Sequence, residues 1–282
     1  MTVTLKPVGL SRKEKLESGN RVRGFWNRYC GRGYRFICLL LCFKETFKTW
    51  LQILIPQSGE RVLDGGTGTG GMFRPIIEKV QPRKIVAVDF SDKMLEDAQK
   101  TARRLLTRDK SLIYRIIHLF RRAIGHPTNS LNDLGFQFES VDLTEPFPWP
   151  DSYFGAETFS LVICYMLEQE RERVLREAYR TLKPAGYVYV STCLEGWDFS
   201  KEVRKRMPKE FLLGPINSLR ALPVVPCTKE MDGLRKEGIF VYPKEGELAV
   251  LLEEIGFTDI CTVKSFGGGI EIVRAQKPLS YS

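Results

Sequence analysis

Histidine is almost absent from this 282-residue chain: there are two, and neither stands at metal-ligand spacing. The seven cysteines, Cys30, Cys38, Cys42, Cys164, Cys193, Cys227 and Cys261, include no C-x-x-C pair. A zinc site and a disulfide framework are both excluded as expectations, and the odd, scattered set suits a reducing, cytoplasmic compartment. Long apolar runs are missing as well. The nearest approach to a membrane span, Phe36 to Phe43, is stopped by Lys44 and Glu45, far short of the roughly 20 residues a spanning helix needs. The first residues, Met1 to Lys6, hold no apolar signal core. Internal repeats and long low-complexity tracts are not found. Acidic residues are outnumbered, 34 against 43 Lys and Arg, for a formal net charge of +9. The excess lies in the first half.

What is present is enough apolar material, 43% of residues, for one sizeable α/β core. The most informative stretch is Val62-Leu63-Asp64-Gly65-Gly66-Thr67-Gly68-Thr69-Gly70. Two apolar residues end a buried strand, an acid follows, and glycines alternate. Glycine takes positive φ and lets a ligand press on the backbone. A dinucleotide loop reads G-x-G-x-x-G and seats a pyrophosphate. Here the spacing is G-x-G-x-G, and the carboxylate of Asp64 would repel a pyrophosphate while welcoming an ammonium group. The loop suits a nucleoside with a cationic tail; a tight turn without ligand is the plainer alternative.

Two further acids close apolar strands. Lys84 to Val88 ends at Asp89, 25 positions after Asp64, and Phe136 to Val141 ends at Asp142. An acid at the end of the second parallel strand can accept from ribose hydroxyls. Ser91 or Asp92 then reads as the cap of a helix. Singly each acid is as readily a loop or cap residue; at successive strand ends they point to one site.

With these residues in place, the chain resembles the class I S-adenosylmethionine-dependent methyltransferases from about Gly59 to Ala275. The first motif matches at Asp64, Gly66, Gly68 and Gly70, and Gly65 joins them among the expected cofactor-binding residues. The resemblance implies that Asp89 binds ribose, with Phe90 beside it, and that Met94 lies against adenine. Asp142 and Leu143 fall at the adenine-contacting turn, and Cys164 ends the fourth strand. Phe147 to Phe154 is similar to the family's P-F-x-D-x-x-F stretch with Trp149-Pro150 inserted, and Leu182 to Gly186 to the turn before the fifth strand. Two positions depart: Ala185, where the family often has Gly, and Gly155, where it commonly has Asp, a difference that bears on local packing.

Alternating strand and helix signals imply an α/β fold, a Rossmann-like doubly wound sheet. Strands are expected near 61–64, 84–89, 136–141, 159–164 and 187–193, with a final pair near 257–265 and 270–276 split by Gly267-Gly268-Gly269. By resemblance this pair is an antiparallel edge hairpin of a seven-stranded sheet. Pro243 to Ile255 reads as the preceding helix, with Leu248, Leu251, Leu252 and Ile255 on one face.

Residues 1–58 form an N-terminal substrate-side or membrane-facing segment ahead of the methyltransferase domain at 59–282, whose insertions lie near 97–133 and 194–240. In the first segment Arg21, Arg23, Arg28, Arg32 and Arg35 interleave with Phe25, Trp26, Tyr29 and Tyr34. In the second, Leu112, Ile113, Ile116, Ile117, Phe120 and Ile124 form an apolar helical stripe flanked by Arg115, His118, Arg121 and Arg122. Basic amphipathic helices can lie on anionic membranes; the plainer alternative is a stripe packed on the sheet with its arginines solvated. The third segment, with Phe199, Met207, Phe211, Leu212, Leu213 and Leu222, has apolar surface for a lid.

The acceptor expected first is a small hydrophobic molecule, lipid-like or isoprenoid. The quinone- and lipid-methylating branch is similar at Phe25-Trp26-Asn27-Arg28-Tyr29 and Phe266 to Ile270. A soluble small molecule ranks second and RNA third, because Ile163-Cys164-Tyr165-Met166 replaces the N-P-P-Y-like tetrad of adenine methylation and no cysteine pair suits cytosine C5. A non-catalytic S-adenosylmethionine-binding partner protein ranks last. In-line methyl transfer depends on alignment and desolvation, and the candidates for a base are Tyr165, His118 and Tyr29.

Overall fold

The computed structural model describes residues 20–22, 24–28, 41–108, 135–213, 216, 219 and 224–279. A seven-stranded sheet runs in the order β3-β2-β1-β4-β5-β7-β6. Its strands are β1 (Arg61–Gly65), β2 (Lys84–Asp89), β3 (Phe136–Ser140), β4 (Phe154–Ser160), β5 (Leu182–Cys193), β6 (Thr258–Ser265) and β7 (Ile270–Gln276). The first five are parallel, and β7 runs antiparallel between β5 and β6. Among the described residues, six helices of nine or more residues flank the sheet: α1 (Leu41–Ile53), α2 (Asp92–Arg108), α3 (Glu168–Thr181), α4 (Phe199–Leu213), α5 (Val224–Lys236) and α6 (Glu247–Ile255). The doubly wound sheet is the arrangement the alternating pattern implies, and the antiparallel edge hairpin is the one the resemblance implies.

Both faces of the central strands are buried, so they read as apolar runs, and successive side chains serve opposite layers. Val62, Ile85 and Ala87 join one cluster with Trp50, Phe73 and Ala98. Leu63, Val86 and Val88 join the other with Val174, Leu175, Leu248 and Leu252. Trp50 of α1 and Phe25 and Trp26 of the helical segment at 24–28 are core residues of the first layer. The turn after β6 is built on Gly267 and Gly268, both at positive φ.

Two expected elements are displaced. The fourth strand is Phe154–Ser160 and not 159–164; Ile163–Tyr165 is a 3-10 turn. The apolar run at 161–164 carried the stronger strand signal, because β4 holds Glu157 and Thr158 at its centre, both fully buried. The Glu157 carboxylate accepts from the Thr181 hydroxyl at 2.6 Å, and burial pushes its pKa well above the ordinary carboxylate value. The last helix starts at Glu247 instead of Pro243, since Gly246 is left-handed, φ +78°, and interrupts helical backbone there. Along it, Leu248 and Leu252 are buried, and Leu251 and Ile255 are packed beside them.

The departures from the family pattern have local reasons. A Cβ on Gly155 would stand 2.5 Å from the Glu60 Cβ, so an aspartate could not fit without moving that side chain, which pairs with Lys183 at 2.6 Å. Trp149 is buried against Phe147 and Phe154, ring centroids 5.7 and 5.2 Å away. Arg180 ties that loop down through the carbonyls of Trp149 and Phe147. Ala185 adopts φ +61°, where a side chain costs about 1–2 kcal/mol that glycine avoids, less the entropy glycine loses on folding. Ala185→Gly should therefore raise the thermal midpoint by about 2 °C, read by calorimetry; a fall would mean the strained turn is compensated elsewhere.

Candidate functional site

The singled-out residues meet at the carboxyl ends of the parallel strands, where ligands bind in open α/β sheets. β1 ends in the glycine loop, β2 in Asp89, and the turn after β3 carries Asp142 and Leu143. The 3-10 turn after β4 carries Cys164 and Tyr165. Pairing of Gly65 with Val88 and Phe159, and of Asp89 with Ser140, sets these ends side by side.

Each loop glycine has its own reason. Gly66, Gly68 and Gly70 have φ of +65°, +53° and +81°. A Cβ on Gly65 would strike the Phe159 ring at 2.4 Å, on Gly66 the Val162 side chain at 2.3 Å, and on Gly70 the Phe73 ring at 2.5 Å. Gly68 differs: its nearest neighbour would be the Gly66 carbonyl at 4.0 Å. Its backbone faces open space.

Asp89 accepts from the Gly68 N–H at 3.0 Å and from the Ser91 N–H at 2.9 Å. It therefore joins the loop to the start of α2. Burial pushes its pKa up to about 6, against the pull of those N–H groups. Asp64 is 1% exposed. Its oxygens accept from the Thr67 hydroxyl at 2.6 Å and the Thr158 hydroxyl at 2.8 Å. Burial raises it to about 6 as well, with help from the charge of Asp89. It is held beneath the loop, so its action on a ligand is through charge and through Thr67. Asp142 accepts from the N–H and hydroxyl of Thr144 at 3.0 and 2.7 Å, an aspartate turn. Met94 and Leu143 are buried, and Phe90 is half-buried.

Cys164 is brought to the site but turned away from it. Its side chain is fully buried, and the thiol of Cys193, hydrogen-bonded to it, is held well above its usual range by that bond and by burial. Tyr165 sits in an aromatic group: Trp26 lies 4.9 Å and Phe240 4.7 Å from it between ring centroids, and Phe25 packs on Phe240 at 5.6 Å. Asn27 accepts from the Ser91 hydroxyl at 2.7 Å. The segment at 24–28 thereby reaches the residue two past Asp89. The Arg28–Glu230 ion pair attaches it to α5, and Arg21 pairs with Glu237 just past the end of that helix. His118, Tyr29 and the helix expected near 112–124 lie outside the described residues.

Sequence reasoning missed Thr158, Asn27 and Phe240 as neighbours of the site. Thr158 follows a buried acid in a strand, a signal that could have been used. Phe240 lies 75 residues after Tyr165 and carries no local signal. Arg171 was also missed; it is buried in α3 and donates to the Val241 carbonyl at 2.8 Å, fixing the chain just after Phe240.

Among the described residues no helix is long and apolar enough to cross a membrane, and no group of three or more metal-ligating side chains is found. Residues 63–190 match the family model described as a methyltransferase domain. A ubiquinone/menaquinone biosynthesis C-methyltransferase of Rickettsia bellii is 26% identical over 229 residues, 78% of this chain and 77% of its own. One of Geobacter sulfurreducens is 27% identical over 253 residues, 86% and 83%. The N-methyltransferase NodS of Bradyrhizobium japonicum, solved with S-adenosyl-L-homocysteine, shares the fold with a TM-score of 0.55 at 11% identity, over 91% of this chain and 98% of its own. Sheet order, glycine loop and these matches agree: residues 63–190 are a methyltransferase domain, and the chain is an S-adenosylmethionine-dependent methyltransferase.

Proposed function

We propose that this enzyme methylates a small hydrophobic acceptor of the isoprenoid-quinone type. The observation that carries the reading is the aromatic wall of Trp26, Tyr165 and Phe240 beside the end of β4. Trp26 and Phe240 are buried and back the half-buried Tyr165, whose ring suits contact with an aromatic acceptor. The printed function of the Rickettsia bellii and Geobacter sulfurreducens relatives supports the same acceptor class. Residues 1–58 are then the substrate-side segment, and 59–282 the catalytic domain with insertions near 97–133 and 194–240. An acceptor of this kind partitions into lipid, and the proposal includes contact of the protein with a membrane surface.

The residues fit the donor. Gly68 offers open backbone at positive φ, and Asp89 offers two carboxylate oxygens at the end of β2. Asp89 is assigned to ribose, Phe90, Met94, Asp142 and Leu143 to adenine, and the main chain of Gly65, Gly66, Gly68 and Gly70 to the amino-acid tail. Cys164 contributes only its main chain. S-adenosylmethionine supplies an activated methyl group on a sulfonium. The protein's part is to align the acceptor in line with that methyl and to exclude water. We assign Tyr165 the role of orienting the acceptor.

Donor affinity should depend on pH. Asp64 and Asp89 titrate near 6 without ligand, and a cationic donor favours their ionised forms. Affinity should fall about tenfold per pH unit below 6 for each proton that must leave, and level off above 7. Without donor the sign is reversed: both folded pKa values exceed the unfolded value of 3.8, so these groups lose stability for the apo fold as pH rises from about 4 to 6. Calorimetry in buffers of different ionisation enthalpy should show proton release at pH 5.5. Binding without a pH dependence would remove both carboxylates from the site.

The acceptor class is tested by transfer of labelled methyl to a total lipid extract, total RNA and a soluble metabolite pool. Label in a lipid-soluble aromatic product is expected. Label confined to the soluble pool or to RNA would replace this reading.

A further inference from the structure

The chain between β5 and α6 leaves the sheet and returns to it through one narrow neck. Going out, the Leu194 N–H donates to the Gly269 carbonyl at 3.0 Å and the Glu195 N–H to the Pro243 carbonyl at 2.8 Å. Coming back, the Val241 carbonyl accepts from Arg171 at 2.8 Å. Just inside these ties stand Gly196 and Gly238, at φ +75° and +72°. A Cβ on either would meet nothing within 4 Å. Residues at the ends of elements absorb hinge rotations, and α4 and α5 lie between these two.

Three contacts hold the two helices down. Trp197 is seated on the turn between β6 and β7: a Cβ on Gly269 would stand 1.9 Å from its ring, and the Phe266 ring lies edge-on to it at 5.2 Å. Arg206 of α4 pairs with Glu45 of α1 at 2.6 Å. Arg28 pairs with Glu230 of α5 at 3.4 Å. Both ion pairs are partly exposed and each is worth little, so Trp197 is the principal clasp. The glycine run 267–269 therefore does more than turn the chain, because Gly269 leaves the space in which the indole lies.

The neck stands beside Tyr165. Cys193 at the end of β5 is hydrogen-bonded to Cys164, and Phe240, between Gly238 and the tied Val241, packs on the Tyr165 ring at 4.7 Å. We propose that α4 and α5 form a flap, hinged at Gly196 and Gly238 and latched by Trp197 on Gly269. Its opening admits the acceptor, and its closing sets Phe240 against Tyr165 and excludes water from the transfer. The proposal rests on the hydrophobic-acceptor reading and adds the device by which that acceptor enters.

The test follows alkylation of the full chain by N-ethylmaleimide, mapped to single cysteines by mass spectrometry. Cys227 of α5 is 2% exposed and reports opening of the flap; Cys164, in the turn after β4, is 0% exposed and reports unfolding of the sheet. Cys227 should react well before Cys164 in the native protein. Trp197→Ala should speed Cys227 about tenfold and leave Cys164 and donor affinity unchanged. Gly269→Ala should do the same by displacing the indole, and the two together should do no more than either, since both act through one contact. Arg206→Gln, which leaves the core intact, should speed Cys227 about two- to fivefold. A naphthohydroquinone with one prenyl group should slow Cys227, and its KM should rise in Trp197→Ala while kcat stays. The proposal is overturned if Cys227 and Cys164 always react together, which means global unfolding, or if Trp197→Ala or Arg206→Gln reacts at the native rate. Alkylation needs no acceptor, so the two readings separate. Opening in the variants without methyl transfer to the quinol removes the acceptor class alone, and transfer with unchanged alkylation removes the flap alone.

Discussion

Gly68→Val should abolish measurable donor binding, a loss of more than about a hundredfold, in a protein that still unfolds cooperatively. No protein atom lies closer than 4.0 Å to the position of its added Cβ, so the side chain meets no neighbour in the ligand-free fold. The cost there is the positive φ of +53°, about 1–2 kcal/mol. With donor present, the valine occupies the space against the backbone that the loop keeps clear. Gly66→Val is the contrasting control. It would drive into Val162 at 2.3 Å and destabilise the fold with or without donor. Titration calorimetry and thermal melts on both variants separate the outcomes. Normal binding by Gly68→Val would reduce the loop to a plain turn.

Asp89→Ala should weaken the donor by about five- to a hundredfold, the loss of two hydrogen bonds at about 0.5–1.5 kcal/mol each. The same substitution frees the N–H groups of Gly68 and Ser91, so the loop also loses its tie to α2. Asp89→Asn keeps one acceptor oxygen and should fall between the two. Unchanged calorimetric affinity in a folded alanine variant would take the acid out of the ribose position.

Much of this was legible in the sequence because the parallel sheet imposes a simple code. Strands buried on both faces read as short apolar runs, and their carboxyl ends are marked by the acids Asp64, Asp89 and Asp142. β4 broke the code. Burial of Glu157 is tolerated because Thr181 donates to it and its raised pKa favours the neutral form, a tertiary arrangement no local pattern reveals. The orientation of Asp64 was hidden for a similar reason. Its two hydroxyl partners come from its own loop and from β4, so the spacing showed an acid at the site but not that it is sealed beneath it. Cys164 was expected at the end of the fourth strand and lies in the 3-10 turn after it, while its inward turn depends on Cys193, 29 residues later. The aromatic wall gathers residues 26, 165 and 240, whose meeting is decided by long-range packing alone.

The hydrogen bond from Ser91 to Asn27 and the packing of Trp26 on Tyr165 make the segment at 24–28 part of the wall next to Asp89. Binding free energies are reciprocal. By whatever factor docking of this segment changes donor affinity, the donor changes docking by the same factor. Cleavage by trypsin at Arg21 or Arg28 is therefore a meter of site occupancy. If docking tightens the donor, saturating donor slows the cut by the factor that deleting the segment would take from affinity, so either measurement predicts the other.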